Sequence, residues 1–301
     1  MSVQLYNDDC IIGMRDRVVD ESVDLVIADP PYFKVIGEKW DYAWRTDQDY
    51  LDWSEKWVYE ICRSLRKGGT FYLFGYFRML CKMMPILEKY GFELRQQIIV
   101  NKGIQAVSGR ATKNYKMFPN VTESILFLVK DSKPFVKKFL KNRQREIGIS
   151  SKEINDYLGV KSNGGGMWSI YTGDNVCKQL PTEEIWNKLQ QILQFDIPYS
   201  KISQTYNAQL GITDVWDDIN FYEEKRYHPT QKPQRLIDRL IIASSNEHDL
   251  ILDPFSGSGS TMLSAYRNNR EFIGFELDES YFNIAKKRIE REESEMSRKL
   301  F

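Results

Sequence analysis

Histidine and cysteine are scarce: two and four residues in a chain of 301. Cys10, Cys62, Cys81 and Cys177 show no C-x-x-C spacing, so neither a zinc cluster nor a disulfide framework is expected and the thiols read as reduced. No apolar run approaches the roughly 18 residues that a membrane span requires. The N-terminal "MSVQLYNDDC" has neither a basic flank nor an apolar signal core, so a cytoplasmic protein with no membrane association is expected. Net charge is missing too. Lysine plus arginine number 42 and aspartate plus glutamate 42, which argues against a sheath of positive charge over the whole surface. Internal repeats and low-complexity tracts are absent.

What is present suits a water-soluble globule, with 42% hydrophobic and 28% charged residues. The length allows one large α/β domain, or a core domain carrying an insertion. Strand patterns fall near 3–6, 23–28, 70–75, 94–101 and 124–129, with helical patterns near 47–66 and 77–89. This alternation is that of a parallel sheet. From Pro233 it resumes: a helix to Ala243, a strand Leu250–Pro254, a helix after Ser258, a strand Glu271–Glu276 and a last helix from Asp278.

Between these parts the texture changes. Residues 131–226 are basic, aromatic and interrupted by "SNGGGMWS", with helix starts at "SSKE" (a capping-box pattern) and "PTEEIW". They read as an insert, leaving 1–130 and 227–301 as the core domain. Lys130, Lys133, Lys137, Lys138, Lys141, Arg143 and Arg145 stand against the single acid Asp131, either as a solvated helix face or as a patch that touches phosphate. "SSKEINDYLGV" has the outline of the first helix and turn of a helix-turn-helix, but the second helix would fall on three glycines, each costing roughly 1 kcal/mol. A glycine-hinged loop fits better.

Two strand ends carry chemistry. In "VDLVIADPPYF" an apolar strand runs into Asp29-Pro30-Pro31-Tyr32, a rigid corner whose prolines have no N–H to continue pairing, so fixed acceptors are required there. In "LILDPFSGSGST" a strand ends at Asp253-Pro254, and a glycine turn (Gly257, Gly259) opens a helix whose N-terminus offers free N–H groups to an anion. The next strand ends in Glu276, placed to accept from two ribose hydroxyls. Together these describe a nucleoside-plus-anion site. A dinucleotide fingerprint would need a third glycine where Met262 stands, and a P-loop would need Gly-Lys-Ser/Thr; both are missing.

The pair Asp29-Pro30-Pro31-Tyr32 and Phe255-Ser256-Gly257-Ser258-Gly259 resembles the two motifs of DNA amino-methyltransferases, which methylate adenine N6 or cytosine N4. The catalytic corner precedes the cofactor loop with a basic region between them, as in the beta class of that family. The resemblance extends to "LYNDDC", "LRKGGTFYLF", "NVTESILFLVK" and "YHPTQKP", and so covers nearly the whole chain outside the insert. It implies a doubly wound, mostly parallel α/β sheet of Rossmann-like, circularly permuted order, with the site at the carboxyl ends of the strands. The cofactor implied is S-adenosyl-L-methionine.

Family resemblance also assigns roles. Asp29 and the Pro30 carbonyl would accept from the target amine, Pro31 would stiffen the corner and Tyr32 would stack on a flipped-out base. Asp9 and Cys10 would lie by the cofactor's adenine, Glu276 on its ribose, Phe255 beside its ring, and Ser258, Ser260 and Lys232 around its methionine end. Asp253, Ser256, Gly257 and Gly259 would shape the loop. Lys133, Lys137, Lys138, Lys141, Arg143, Arg145 and Tyr115, the last in the basic loop 101–119, would meet double-stranded DNA. The expected activity is adenine-N6 methylation within a restriction-modification or related DNA-modification system. Cytosine-N4 methylation, or a non-catalytic DNA-binding regulator on the same scaffold, is the alternative. A cognate endonuclease and a homodimer are the further partners expected.

Overall fold

The computed structural model describes residues 2–32, 44–107, 118–159, 166–173, 179–225, 227 and 230–299. Elements follow in chain order as β1 (Val3–Tyr6), α1 (Cys10–Arg17), β2 (Val23–Ala28), α2 (Asp47–Ser64), β3 (Leu65–Gly75), α3 (Phe77–Lys89), β4 (Phe92–Asn101) and β5 (Thr122–Lys130). Four helices come next, α4 (Lys133–Ile147), α5 (Ser151–Tyr157), α6 (Gly166–Thr172) and α7 (Glu183–Leu193). The chain closes with β6 (Val215–Trp216), α8 (Gln234–Ser244), β7 (Leu250–Asp253), α9 (Ser260–Arg267), β8 (Glu271–Phe275) and α10 (Glu279–Lys299).

Period-2 burial divides each central strand between two cores. Leu25 and Ile27 of β2 and Tyr72 and Phe74 of β3 face one cluster, completed by Leu236, Ile237, Leu240 and Ile241 of α8 and Leu263 of α9. Val26, Ala28, Phe71 and Leu73 point the other way, onto Met14 of α1, Trp57 and Ile61 of α2 and Leu80 of α3. Helices therefore cover both faces, and the central strands read as continuous apolar runs because neither face meets water. α2 forms where Thr46 and Asp49 make a reciprocal capping box and Tyr50, Trp57, Val58 and Ile61 share one buried stripe.

The strand order is β1-β8-β7-β2-β3-β5-β4-β6. Neighbours run parallel except where β5 pairs antiparallel with β3 and with β4. β2 lies beside β7, with Leu25 opposite Ile251 and Val26 opposite Leu252. From this central pair the chain winds outward in both directions, through β3 on one side and β8 on the other. The crevice at their carboxyl ends is thus a topological switch point, built from two distant stretches of sequence.

Two compact units result, 1–130 with 205–301, and 131–204. The expected insert of 131–226 thus ends earlier. Residues 205–226 return to the sheet, where Val215 and Trp216 pair with Ile99 and Val100, and where Trp216, Ile219 and Phe221 enter the core. A two-residue strand carries too little periodicity to be seen in advance. The smaller unit is helical, with its own core of Val136, Leu140, Ile154, Trp168, Trp186, Leu189 and Leu193. α5 starts at the expected Ser150–Glu153 capping box. α6 begins at Gly166, and residues 160–165 before it lie outside the described residues. Among the described residues no helix is long and apolar enough to cross a membrane.

Candidate active site

β2 delivers Asp29 to the floor of the crevice, and what surrounds it is a buried polar cluster. Lys232 Nζ lies 2.6 Å from Asp29 Oδ2, and the Tyr32 hydroxyl lies 2.9 Å from Asp29 Oδ1. The same hydroxyl is 2.5 Å from Glu123 Oε1, at the head of β5, and 3.1 Å from Lys232 Nζ. Lys102, just past β4, donates to Glu123 Oε2 at 3.0 Å. Tyr50 of α2 donates to the Pro31 carbonyl at 3.1 Å and so pins the proline corner from behind. Two carboxylates face two ammonium groups, and the cluster is neutral as a whole.

Burial decides how these groups titrate. It pushes the Asp29 carboxyl above its ordinary range; the Lys232 charge opposes this without reversing it, and the charge of Glu123 adds to the rise. For Glu123 burial acts in the same sense, but Lys232 and Lys102 outweigh it and hold the carboxyl below the ordinary range. Lys232 loses solvent as well, yet the two carboxylates beside it hold its ammonium above the usual lysine range. Burial and the flanking carboxylates keep the Tyr32 phenol protonated.

β7 ends beside β2, and its loop makes the rest of the site. Asp253 Oδ1 accepts from Phe255 N at 2.9 Å, and Ser256 Oγ donates to the Asp253 carbonyl at 3.2 Å. Ser256 N binds the Phe275 carbonyl at 2.9 Å, which ties the loop to β8. Glu276, past the end of β8, accepts from Gly257 N at 2.7 Å and from Asp278 N at 2.8 Å, one bond on each oxygen. The Leu277 backbone adds a third bond, and since a carboxylate has about four acceptor positions, one stays open to a ligand hydroxyl. Burial pushes Asp253 up to about 7 and raises Glu276 as well.

These strand ends enclose one cavity of about 650 Å³. Its wall holds Asp9, Cys10, Asp29, Pro30, Pro31, Tyr32, Lys232, Asp253, Phe255, Ser256, Gly257, Ser258, Ser260 and Glu276. Asp9 caps α1, accepting from Ile11 N at 2.9 Å and Ile12 N at 3.1 Å, while Asp8 beside it is ion-paired with Arg17 at 3.1 Å. Gly259 is the expected residue missing from the wall. It caps α9 at φ +84°, and a Cβ there would stand 3.0 Å from that of Ala285, so glycine is required for close packing against α10.

Several residues in the wall or bracing it had no signal in the sequence. Trp44 and Trp53, at 4.6 Å between ring centroids, come from beside and within α2, and Trp53 and Trp57 both pack on Phe255. Arg288 of α10 donates to the Ser258 carbonyl at 2.5 Å and holds the loop from outside. Glu123 did have one: an acid heading an otherwise apolar strand.

Among the residues expected to meet DNA, Lys138 and Arg145 are exposed on α4, and Lys133, Lys137 and Lys141 are half-buried there. Arg143 has another use, donating to the Leu193 carbonyl at 2.9 Å and the Gln194 carbonyl at 2.5 Å, which closes the end of α7. Lys130 likewise is turned inward, onto the carbonyls of Cys62 and Leu65 at 2.7 Å each. Tyr115 lies outside the described residues.

A switch-point cavity with a glycine turn, a carboxylate facing that turn and a proline corner fits a doubly wound enzyme that uses a nucleoside cofactor. Comparison with known proteins narrows this class. The family model for DNA methylases matches residues 23–287. The chain is 29% identical over 284 residues to DNA adenine methyltransferase YhdJ of Escherichia coli (strain K12), covering 91% of this chain and 78% of that one. It is 28% identical over 290 residues to the type II methyltransferase M2.DpnII of Streptococcus pneumoniae, covering 92% and 85%. Among solved structures, the M1.HpyAVI–SAM complex has a similar fold, with TM-score 0.58 and 20% identity over 95% of this chain and 98% of that one. The PvuII DNA methyltransferase (cytosine-N4-specific) gives 0.57 and 16% over 95% and 86%. The chain belongs to the DNA methylase family, the amino-methyltransferases of adenine N6 and cytosine N4, whose cofactor is S-adenosyl-L-methionine.

The cavity fits that cofactor. Its volume lies within the range of small-molecule sites, about 300–1,000 Å³. Glu276 keeps an acceptor position, and the loop from Asp253 to Ser260 leads into a helix N-terminus suited to a carboxylate.

Proposed function

We propose that this chain is a site-specific DNA methyltransferase acting on adenine N6, with Asp29 and the Pro30 carbonyl as the acceptors that grip the amine. The observation that carries the reading is that the Asp29 carboxylate and the Gly257 turn share one cavity although their sequence positions are far apart. S-adenosyl-L-methionine supplies, when bound, a methyl group activated by a sulfonium. The protein's part is to make the amine nucleophilic.

An exocyclic amine is a poor nucleophile because its lone pair is delocalised into the ring. Acceptors on its two N–H bonds return the pair to nitrogen. Asp29 supplies one and the backbone oxygen of Pro30 the other, and the prolines keep both from reorganising as charge develops. Tyr32 offers its ring to the base, worth roughly 1–3 kcal/mol at aromatic platforms. Inside a duplex the amine cannot reach the cavity, so the nucleotide is flipped out of the stack.

Asp29 favours adenine over cytosine N4, because a leading serine is commoner in the cytosine group, and YhdJ, named an adenine methyltransferase, supports that choice. The helical unit 131–204 is assigned to target recognition on double-stranded DNA, with Lys138 and Arg145 toward phosphate. A restriction-modification setting, with a cognate endonuclease and a homodimer as partners, and a cytoplasmic location complete the proposal. To test it, purified protein is incubated with labelled cofactor and DNA, and the digested nucleosides are separated. Label in N6-methyldeoxyadenosine is expected; label only in N4-methyldeoxycytidine, or in neither, rejects the reading.

A further inference from the structure

We propose that Glu123 is a positioning residue for the amine-gripping carboxylate: it accepts the phenolic hydrogen bond of Tyr32 and so leaves Asp29 an oxygen open to the target base. The role rests on the amino-methyltransferase reading above. A count of protons carries it. Tyr32 has one hydroxyl hydrogen, yet its oxygen lies 2.5 Å from Glu123 Oε1 and 2.9 Å from Asp29 Oδ1, and receives Lys232 Nζ at 3.1 Å. One O–H cannot donate to both carboxylates.

Distance and charge both select Glu123. It is the nearer acid, and its two lysine neighbours keep it ionised while burial works against the charge on Asp29. Hydrogen bonds to a full negative charge are the stronger ones. With the phenolic proton drawn toward β5, Asp29 Oδ1 keeps its lone pairs and only Oδ2 is engaged, by Lys232 at 2.6 Å. Without Glu123 the same proton would turn to Asp29, and an incoming amine would compete with a donor on each carboxylate oxygen.

The charged and titratable groups facing Asp29 come from every element around it. Tyr32 belongs to its own corner, Lys232 precedes α8, Glu123 heads β5 with Lys102 behind it, Asp253 ends β7, and Tyr50 lies on α2. Among the described residues only Glu123 touches the rival donor while standing clear of the cavity, whose wall does not include it. An acid 7% exposed is costly to keep in a sheet, and its two oxygens are taken up by Tyr32 and Lys102.

A double-mutant cycle on the full chain tests this, with kcat and KM for DNA measured beside cofactor binding by calorimetry. Glu123→Gln is expected to lower kcat at least about tenfold while leaving cofactor affinity within about twofold. In the Tyr32→Phe background, which keeps the ring but has no proton to misdirect, the same change should cost less than about threefold. The acid limb of the kcat profile should move to lower pH in Glu123→Gln, since a charge that raises Asp29 is removed. Equal costs in the two backgrounds, or an unmoved limb, would overturn the proposal. If the glutamine variant fails to fold, Glu123→Asp keeps the charge but withdraws it by one methylene, and the same background-dependent loss is expected; loss in both backgrounds overturns it too. Wild-type protein that methylates no DNA would defeat the amino-methyltransferase reading itself, whereas an active wild type with an additive cycle defeats only the role of Glu123.

Discussion

β2 and β7 lie side by side in register, and each ends in Asp-Pro: Asp29-Pro30 on one, Asp253-Pro254 on the other. The residues after the dipeptide separate them. Pro30 is succeeded by a second proline, so no backbone N–H turns back, and Asp29 is met by side chains, Tyr32 of its own corner and the distant Lys232. Pro254 is succeeded by Phe255 and the glycine turn, and Asp253 is bound by its own loop through Phe255 N. One acid is held by groups that a ligand can displace; the other is part of the scaffold. The sequence after the proline, rather than the acid, decides which strand end turns its carboxylate to other side chains and which folds it into its own loop.

Substitutions at the two ends should therefore fail differently. Asp29→Ala is expected to reduce kcat by roughly a hundredfold or more, the scale of losing one preorganised group at a reacting centre, with cofactor affinity largely kept. Calorimetric loss of cofactor binding in that variant would erase the contrast. Asp253→Asn should do the reverse, weakening cofactor binding about tenfold, with kcat at saturating cofactor nearer the wild-type value.

Proton linkage sharpens the same contrast. Asp253 ionises near 3.8 when the chain is unfolded and near 7 when folded, so between these values folding takes up a proton. Its contribution to stability is thus fully present below about 3.8 and is lost as pH rises toward 7. Thermal melting of Asp253→Asn should lack this component, so the gap between variant and wild type should widen in the variant's favour from pH 4 to pH 7. A constant gap would mean that Asp253 titrates normally. The smallest effect is expected away from both strand ends: neutralising Lys138 and Arg145 on α4 should leave kcat nearly unchanged and reduce the salt slope of DNA binding by up to roughly 0.9 for each phosphate no longer neutralised. An unchanged slope would remove these two residues from the DNA-binding surface.

Much of the sheet was legible because β2, β3 and β7 carry the apolar runs Leu25–Ala28, Phe71–Phe74 and Leu250–Leu252, and both Asp-Pro ends announce themselves through residues that cannot continue a strand. Local spacing likewise marked Glu276 as the acid facing the glycine turn. Legibility stopped where function depends on partners distant in sequence. Nothing near Glu123 in sequence points to Tyr32, 91 positions away. Arg143 and Lys130 look like members of a surface patch until the carbonyls they close are in view. The return of 205–226 to the sheet rests on a two-residue strand and three buried side chains, below what periodicity can register.

Cys10 lines the cofactor cavity. Sulfur is the natural target of an alkylating sulfonium, and an enzyme that handles such a reagent with a thiol in its wall is open to self-inactivation. Burial pushes the Cys10 thiol well above its ordinary range, and the neighbouring Asp9 carboxylate pushes it further. Reactivity belongs to the thiolate, so the shift works against alkylation of this wall sulfur.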